Sequence, residues 1–330
     1  MEIIFLQDSS HRLSLHDGQL IESSRDQAIC SRHPICGTEL IEVYGNAQIT
    51  TQAIKECLKE GIRINYYTSH GKYLGRLEPG YPKNTQRRLA QYGLYFAHPR
   101  RLLWCKKLLG AKLQGELIEL RRLHEQGISF PYSELCHSLQ HSLAEVEHSE
   151  ELPQLLGIEG MSARRYYEVF RHALPPGILW QGRSHHPPKD GINALLSIIY
   201  TLVAQKIRCA IEHWSLDPHC SFLHEPGYGG GGLAQDLLEP LRATLCDHLA
   251  LRMMKRSANM REAVKASVDG RLGNAVCGEV QDQLRAAWQS RHHRQGRTPQ
   301  QQLELMVQEI VKSLENADGI PAFDQIHPRR

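Results

Sequence analysis

The hydrophobic pattern changes period once along this chain, and that change constrains the fold more than any other feature. Up to about residue 80 the apolar residues fall at strand spacing. After Pro79-Gly80-Tyr81-Pro82, a cluster of breakers, they recur at three- and four-residue steps for most of the remaining length. The pattern predicts an α+β protein: a small N-terminal β-rich domain over residues 1–80, then a larger all-α domain over residues 81–330. With 330 residues, both parts are long enough to bury a core.

In the first part, Leu13 and Leu15 lead through Asp17-Gly18 to Leu20 and Ile21, a hairpin signature. A second strand is predicted over 40–44, a helix over 51–59 closed by Gly61, and strands over 62–68 and 73–77 that turn at His70-Gly71. In the second part, helices are predicted over 134–146, 160–173, 190–214, 233–256, 259–289 and 299–315. Leu102, Leu103, Leu109, Leu113, Leu117 and Leu120 mark a further helix, whose intervening basic residues are assigned to its opposite face.

Composition excludes several classes. A chain with 41% hydrophobic and 23% charged residues lies in the globular range, which sets aside disordered and fibrous proteins. The best apolar run, 194–204, is broken by Ser197 and Thr201, so no bilayer span is expected. The N-terminus has no basic n-region, and a cytoplasmic location is expected. The nine cysteines are scattered without any C-x-x-C pair and are read as free thiols.

Charge is informative only when divided along the chain. Residues 81–125 carry ten basic residues against three glutamates, and 134–159 carry six glutamates with no lysine or arginine. This asymmetry points to a polyanion-binding face, although a solvated helix side has the same composition. Arg87, Arg88, Arg100, Arg101, Lys106 and Lys107 are the positional candidates for phosphate contact, with Arg291, His292, His293, Arg294 and Arg297 as the alternative cluster. The glycine run 227–232 lacks the G-K-[ST] ending of a phosphate-cradling loop and is read as a flexible connection.

The residues able to carry chemistry lie in the helical part. Glu159, between Gly157 and Gly160, is placed at a helix start with room for a close ligand. His224 follows two large apolar residues and is expected at the rim of the core. Asp236 and Glu239, at i and i+3, would share one helical face and can share a cation, or can be two exposed acids on a first turn. Carboxylates with one imidazole and no thiolate suit Mg²⁺ or Mn²⁺ better than Zn²⁺.

Four blocks occur in a fixed order: Leu156-Gly157-Ile158-Glu159-Gly160-Met161-Ser162-Ala163-Arg164-Arg165-Tyr166-Tyr167, then Pro187-Pro188-Lys189-Asp190-Gly191-Ile192-Asn193-Ala194, then Leu216-Asp217-Pro218 with Phe222-Leu223-His224, then Asp236-Leu237-Leu238-Glu239-Pro240-Leu241-Arg242. Together they resemble the CRISPR-associated spacer-acquisition integrase family, over residues 1 to about 315. The resemblance implies a metal held by Glu159, His224 and Glu239, with Asp236 supporting the site or sharing the ion, and a tyrosine near the site at Tyr166 that contacts DNA or simply packs. It further implies spacer integration into double-stranded DNA with companion endonuclease activity. The implied assembly is a homodimer through the β-rich domain, with a small ferredoxin-fold partner bridging two dimers. Three departures bear on DNA contacts and loop mobility: Ser221 in place of glycine, His185-His186 before the prolines, and the glycine run. A standalone Mg²⁺/Mn²⁺ nuclease and an inert DNA-binding scaffold are the alternatives.

Overall fold

A computed structural model describes residues 2–26, 28–69, 73–78, 84–184, 187–225, 232–267, 270–290, 296–316 and 318–323. The predicted turn at His70-Gly71, the breaker cluster 79–82, His185-His186, Gly227 to Gly231 and the basic residues Arg291 to Arg294 lie outside these residues. Two compact units divide the chain, residues 1–81 and 82–330.

The first unit contains two four-stranded sheets and one helix. β1 (Glu2–Leu6), β5 (Thr38–Tyr44), β7 (Arg63–Tyr67) and β8 (Tyr73–Leu77) form one sheet in that order, parallel except for the β7–β8 pair. The other sheet has the order β4 (Ile29–Pro34), β3 (Gln19–Ser23), β2 (Arg12–His16), β6 (Gln48–Ile49). The β2–β3 hairpin turns where expected, because Asp17 and Gly18 both adopt the positive φ that a tight hairpin needs. Helix α1 (Thr51–Lys59) starts on Thr50, whose side chain accepts from the Ala53 amide at 3.2 Å, and Gly61 follows it at φ +78°. Its Ala53 and Cys57 pack against Leu13, Ile41, Val43 and Ile64 in a core of their own.

The second unit is helical: α2 (Thr85–Phe96), α3 (His98–Glu125), α4 (Tyr132–His148), α5 (Leu152–Ala173), α6 (Gly191–His213), α7 (Gly232–Leu238), α8 (His248–Arg256), α9 (Ala258–Ala266), α10 (Asn274–Gln289) and α11 (Pro299–Glu315). Two predicted helices are broken. The 233–256 stretch passes from α7 through a 3₁₀ turn, Glu239–Leu241, and a π-helical turn, Arg242–Asp247, before α8. The 259–289 stretch is two helices, α9 and α10. Pro240 sits in the first turn of the 3₁₀ segment, and the π turn widens the helix just where Arg242 and Asp247 must both face inward.

Helix α6 is long and apolar enough by composition to cross a bilayer, yet here most of its length is covered by the unit's own core. Asp190 caps it by accepting from the Asn193 amide at 2.8 Å. A Cβ at Gly191 would collide with the Val264 backbone of α9, so glycine permits that close approach.

The basic-face reading of the 81–125 stretch needs correction. α3 is buried on more than one side: Leu109, Leu113 and Leu120 are fully covered, but so are Arg101, 2% exposed, and Lys112, 4% exposed, while Leu103 is in solvent.

Candidate active site

Four separate stretches deliver the site residues. Glu159 lies well inside α5 rather than at a helix start, because the helix begins seven residues earlier with Pro153 in its first turn. The neighbouring Gly157 and Gly160 do leave open space beside it. His224 stands at the core rim as expected, after the buried Phe222 and Leu223. Asp236 belongs to α7 and Glu239 to the 3₁₀ turn.

Those two acids do not share a face toward one ion, and neither is exposed. Asp236 is wholly buried and turned to the preceding loop: its Oδ2 accepts from the Phe222 and Leu223 amides at 2.6 and 2.9 Å, and its Oδ1 is 2.7 Å from His224 Nδ1. With its oxygens engaged this way, Asp236 ties the loop amides and the His224 ring together. By holding Nδ1, it leaves the His224 Nε2 without a hydrogen-bond partner among the described residues.

Glu239 faces the other way. Arg242 lies 2.8 Å from one carboxylate oxygen and the Lys112 ammonium 2.8 Å from the other, and Lys112 also pairs with Glu159. Burial would raise the Glu239 carboxyl, but Arg242 and Lys112 outweigh it and hold the group down at about 2. Burial would likewise depress the Lys112 ammonium, and Glu239, Glu159 and Glu116 hold it above the ordinary lysine value. Glu116, one turn along α3, is pushed up to about 8 by burial against the pull of Lys112, and its Oε2 has no hydrogen-bond partner among the described residues.

A cavity of about 780 Å³ opens onto Lys112, Glu116, Glu159, His224, Glu239 and Arg242. Tyr167, Arg183 and Asp247 also line it, and the Tyr200 hydroxyl donates to Asp247 and lies 2.7 Å from the Tyr167 hydroxyl. Arg183 and Arg242 stand 5.1 and 5.0 Å from the Tyr200 ring centroid. Burial pushes the Asp247 carboxyl up to about 7, against the Tyr200 hydrogen bond. Tyr166 also lines the cavity; it is buried, and its hydroxyl has no hydrogen-bond partner among the described residues.

Two carboxylates and one imidazole nitrogen converging on a single cavity fit the donor chemistry of a hard divalent cation. Among the described residues, no three side chains of His, Cys, Asp or Glu are drawn together as tightly as the ligands of a bound ion. The Lys112 cation lies between Glu159 and Glu239 and balances their charge.

The basic candidates are differently placed. Arg101 donates to the Phe222 carbonyl at 2.6 Å and pairs with Glu225, so it braces the loop that ends in His224. Arg87 pairs with Glu315, and Arg100 donates to backbone carbonyls of Ser313, Asn316 and Gly319. Lys106 and Lys107 reach Glu147, by its carbonyl and its carboxylate, on α4. Arg88, also on α2, does not line the cavity. Sequence reasoning missed Lys112, Glu116, Arg183, Tyr200 and Asp247 as site residues. The only local signals were the i, i+4 spacing of Lys112 and Glu116 and the i, i+3 spacing of Glu239 and Arg242.

The sequence profile described as CRISPR associated protein Cas1 matches residues 4–274. This chain belongs to the Cas1 family. Similar relatives include a CRISPR-associated endonuclease Cas1 from Thermus thermophilus, 29% identical over 94% of this chain and 90% of the relative. Another is a CRISPR-associated endonuclease Cas1 from Mycobacterium tuberculosis, 32% identical over 76% of this chain and 73% of the relative. Among solved structures, a casposase bound to integration product superposes with a TM-score of 0.75 at 21% identity, covering 98% of this chain and 93% of its own. A CAS1 protein from Thermotoga maritima gives 0.73 at 18% identity, covering 99% and 100%. These structures share the Cas1 fold seen here, a strand-rich N-terminal region followed by a mostly helical one.

Proposed function

We propose that this Cas1-family enzyme inserts spacer DNA into a CRISPR array, joining a DNA 3′-hydroxyl to a repeat phosphodiester by metal-dependent transesterification. With water in place of the hydroxyl, the same site cuts DNA. The observation that carries this reading is the convergence of Glu159, His224 and Glu239 on one cavity, with the histidine oriented by Asp236.

Bound Mg²⁺ or Mn²⁺ would supply polarisation of the phosphoryl oxygen and stabilisation of the leaving oxygen. The chain's residues do the rest. Glu159, Glu239 and the Nε2 of His224 would hold the ion, and Glu239 is ionised throughout the neutral range. Lys112 and Arg242 offset the two glutamate charges, so a polyanionic substrate is not repelled from the cavity. No covalent protein nucleophile is needed. Burial first, then the charges of Asp247 and Glu119, push the Tyr166 hydroxyl well above the ordinary tyrosine value, which keeps it from acting as a phenolate at neutral pH.

The names of the relatives support the nuclease activity, and a solved partial Cas6-RT-Cas1–Cas2 complex of TM-score 0.76 supports a Cas partner. A homodimer through the β-rich unit, bridging by a small ferredoxin-fold protein, and a cytoplasmic location belong to the same proposal. The test is strand transfer: labelled duplex with free 3′-hydroxyls, a repeat-bearing plasmid, Mn²⁺ and the small partner, with Glu159→Ala beside the native chain. Label joined to plasmid only by the native chain upholds integration. Nicking without joining replaces it with a standalone nuclease, and neither reaction, with a repeat and partner validated on a known integrase, leaves an inert scaffold.

A further inference from the structure

α3 and the π-helical turn, which both line the catalytic cavity with its mixture of acidic and basic side chains, also line a second concavity of about 620 Å³. Its lining carries Arg122, His248, Arg252, Lys255 and Arg256 and, among the described residues, no aspartate or glutamate. The π-helical turn is a shared wall: Arg242, Ala243 and Asp247 line the catalytic side, whereas Thr244 and Leu245, with His248 just beyond the turn, line the other. α3 is shared as well, with Lys112 and Glu116 on one cavity and Arg122 on the other.

Of the four lysines and arginines, Arg122 is already balanced from behind, by an acid that also approaches His248. The wholly buried Glu119 accepts from Arg122 Nε at 2.7 Å and lies 3.5 Å from His248 Nδ1. Among the described residues, the other three form no ion pair with an acid. Lys255 donates to the neutral amide oxygen of Gln126 at 2.6 Å, and Arg252 and Arg256 make no hydrogen bond or ion pair among the described residues. Lys255 and Arg256 stand in the last turn of α8, where the helix dipole favours cations, but that does not account for Arg252 a turn earlier. Burial, then Arg256, pushes Arg252 below its ordinary value, and burial, then Arg122, does the same to Lys255. Like charges crowded in a partly desolvated hollow are relieved by an anion.

We propose that Arg252, Lys255 and Arg256 form a phosphate-binding pocket that holds the backbone of the nucleic acid whose reacting end occupies the catalytic cavity. Guanidinium groups suit phosphate through paired N–H donors, and the side-chain amide of Gln283 adds a neutral donor to the lining. Lys112 and Arg122 are ten residues apart on α3, about 15 Å along its axis. Duplex DNA spans that distance in about four to five base pairs, so the axial spacing of the two sites is within the length of one bound duplex. The proposal rests on the DNA substrate proposed above. A free small phosphate is the other source of the same chemistry.

The test measures duplex binding by fluorescence anisotropy over a range of salt concentrations, comparing the native chain, Arg252→Ala/Arg256→Ala and Arg252→Lys/Arg256→Lys, with thermal melting to verify folding. Removal of two phosphate contacts should weaken binding about tenfold and reduce the slope of log affinity against log salt by about 1.8, with the lysine pair retaining most of the slope. A parallel titration with inorganic pyrophosphate separates the sources. Pyrophosphate binding that needs Arg252 and Arg256, with an unchanged DNA slope, overturns the nucleic-acid assignment in favour of a small ligand. An unchanged slope without pyrophosphate binding overturns the pocket altogether. Glu159→Ala should lose strand transfer and keep the native salt slope, so failure of the catalytic reading and failure of this one are read out separately.

Discussion

His224 Nδ1 lies 2.7 Å from the wholly buried Asp236 Oδ1, and the same carboxylate holds the backbone amides of Phe222 and Leu223. One acid therefore fixes both the path of the loop and the orientation of the ring at its end. The other acid of the pair, Glu239, is left to face Lys112 and the catalytic cavity.

Asp236→Asn should lower metal-dependent DNA cleavage by about 10- to 100-fold, the usual cost of losing a group that orients a ligand. The hydrogen bond to Asp236 raises His224 above the ordinary histidine value, against burial, so the ring must lose its proton at higher pH before Nε2 can bind an ion. The rising limb of the pH–activity profile should accordingly move to lower pH in the variant. An unmoved limb with native rates would remove the positioning role.

Lys112→Met leaves Glu159 and Glu239 facing each other without their shared cation. Breaking a buried pair costs about 3–5 kcal/mol, so calorimetry should show a lower Tm, and added Mn²⁺ should restore more of it than in the native chain. Glu239 is held at about 2, below its ordinary 4.5, so the stability it contributes is present above about 4.5 and lost as pH falls toward about 2. The variant's deficit should shrink over that window.

Glu116→Gln should act in the opposite direction. Burial raises this carboxyl to about 8, so the folded state binds its proton more tightly than the unfolded chain, and stability falls as pH rises from about 4.5 to about 8. The glutamine variant should melt several degrees higher than the native chain near pH 8 and match it near pH 4. Equal melting at both values would show that Glu116 is not held protonated.

Arg101→Ala tests a brace rather than a DNA contact. Its hydrogen bond to the Phe222 carbonyl involves a charged donor, worth about 1.5–3 kcal/mol, and its side chain also lies 4.3 Å from the Tyr95 ring centroid. The variant should lose thermal stability while keeping the native salt slope of DNA binding. A reduced slope with native stability would return Arg101 to the DNA-contacting set.

Much of the local structure was legible from pattern because local physics governs it. The hairpin at Asp17-Gly18, α1 closed by Gly61, and α6 and α11 follow from turn chemistry, C-capping and apolar period. The breaks at Glu239–Asp247 and between α9 and α10 were not, because the apolar residues there keep a helical period while the backbone changes its winding to meet its neighbours. The apolar stripe on α3 likewise marked a buried face without revealing that Arg101 and Lys112 are buried too.

The sequence by itself determined the division into a strand-rich and a helical part, and its ordered blocks pointed to Glu159, His224 and Glu239, which the structure brings to one cavity. Only the tertiary structure decided what each neighbour does. Asp236 and Glu239 are three residues apart, yet one orients an imidazole and the other faces a lysine delivered from α3. Spacing along a helix states which side chains share a face, but the partner of a buried charge comes from distant chain, because desolvation selects whichever opposite charge or hydrogen-bond donor the packing brings within reach.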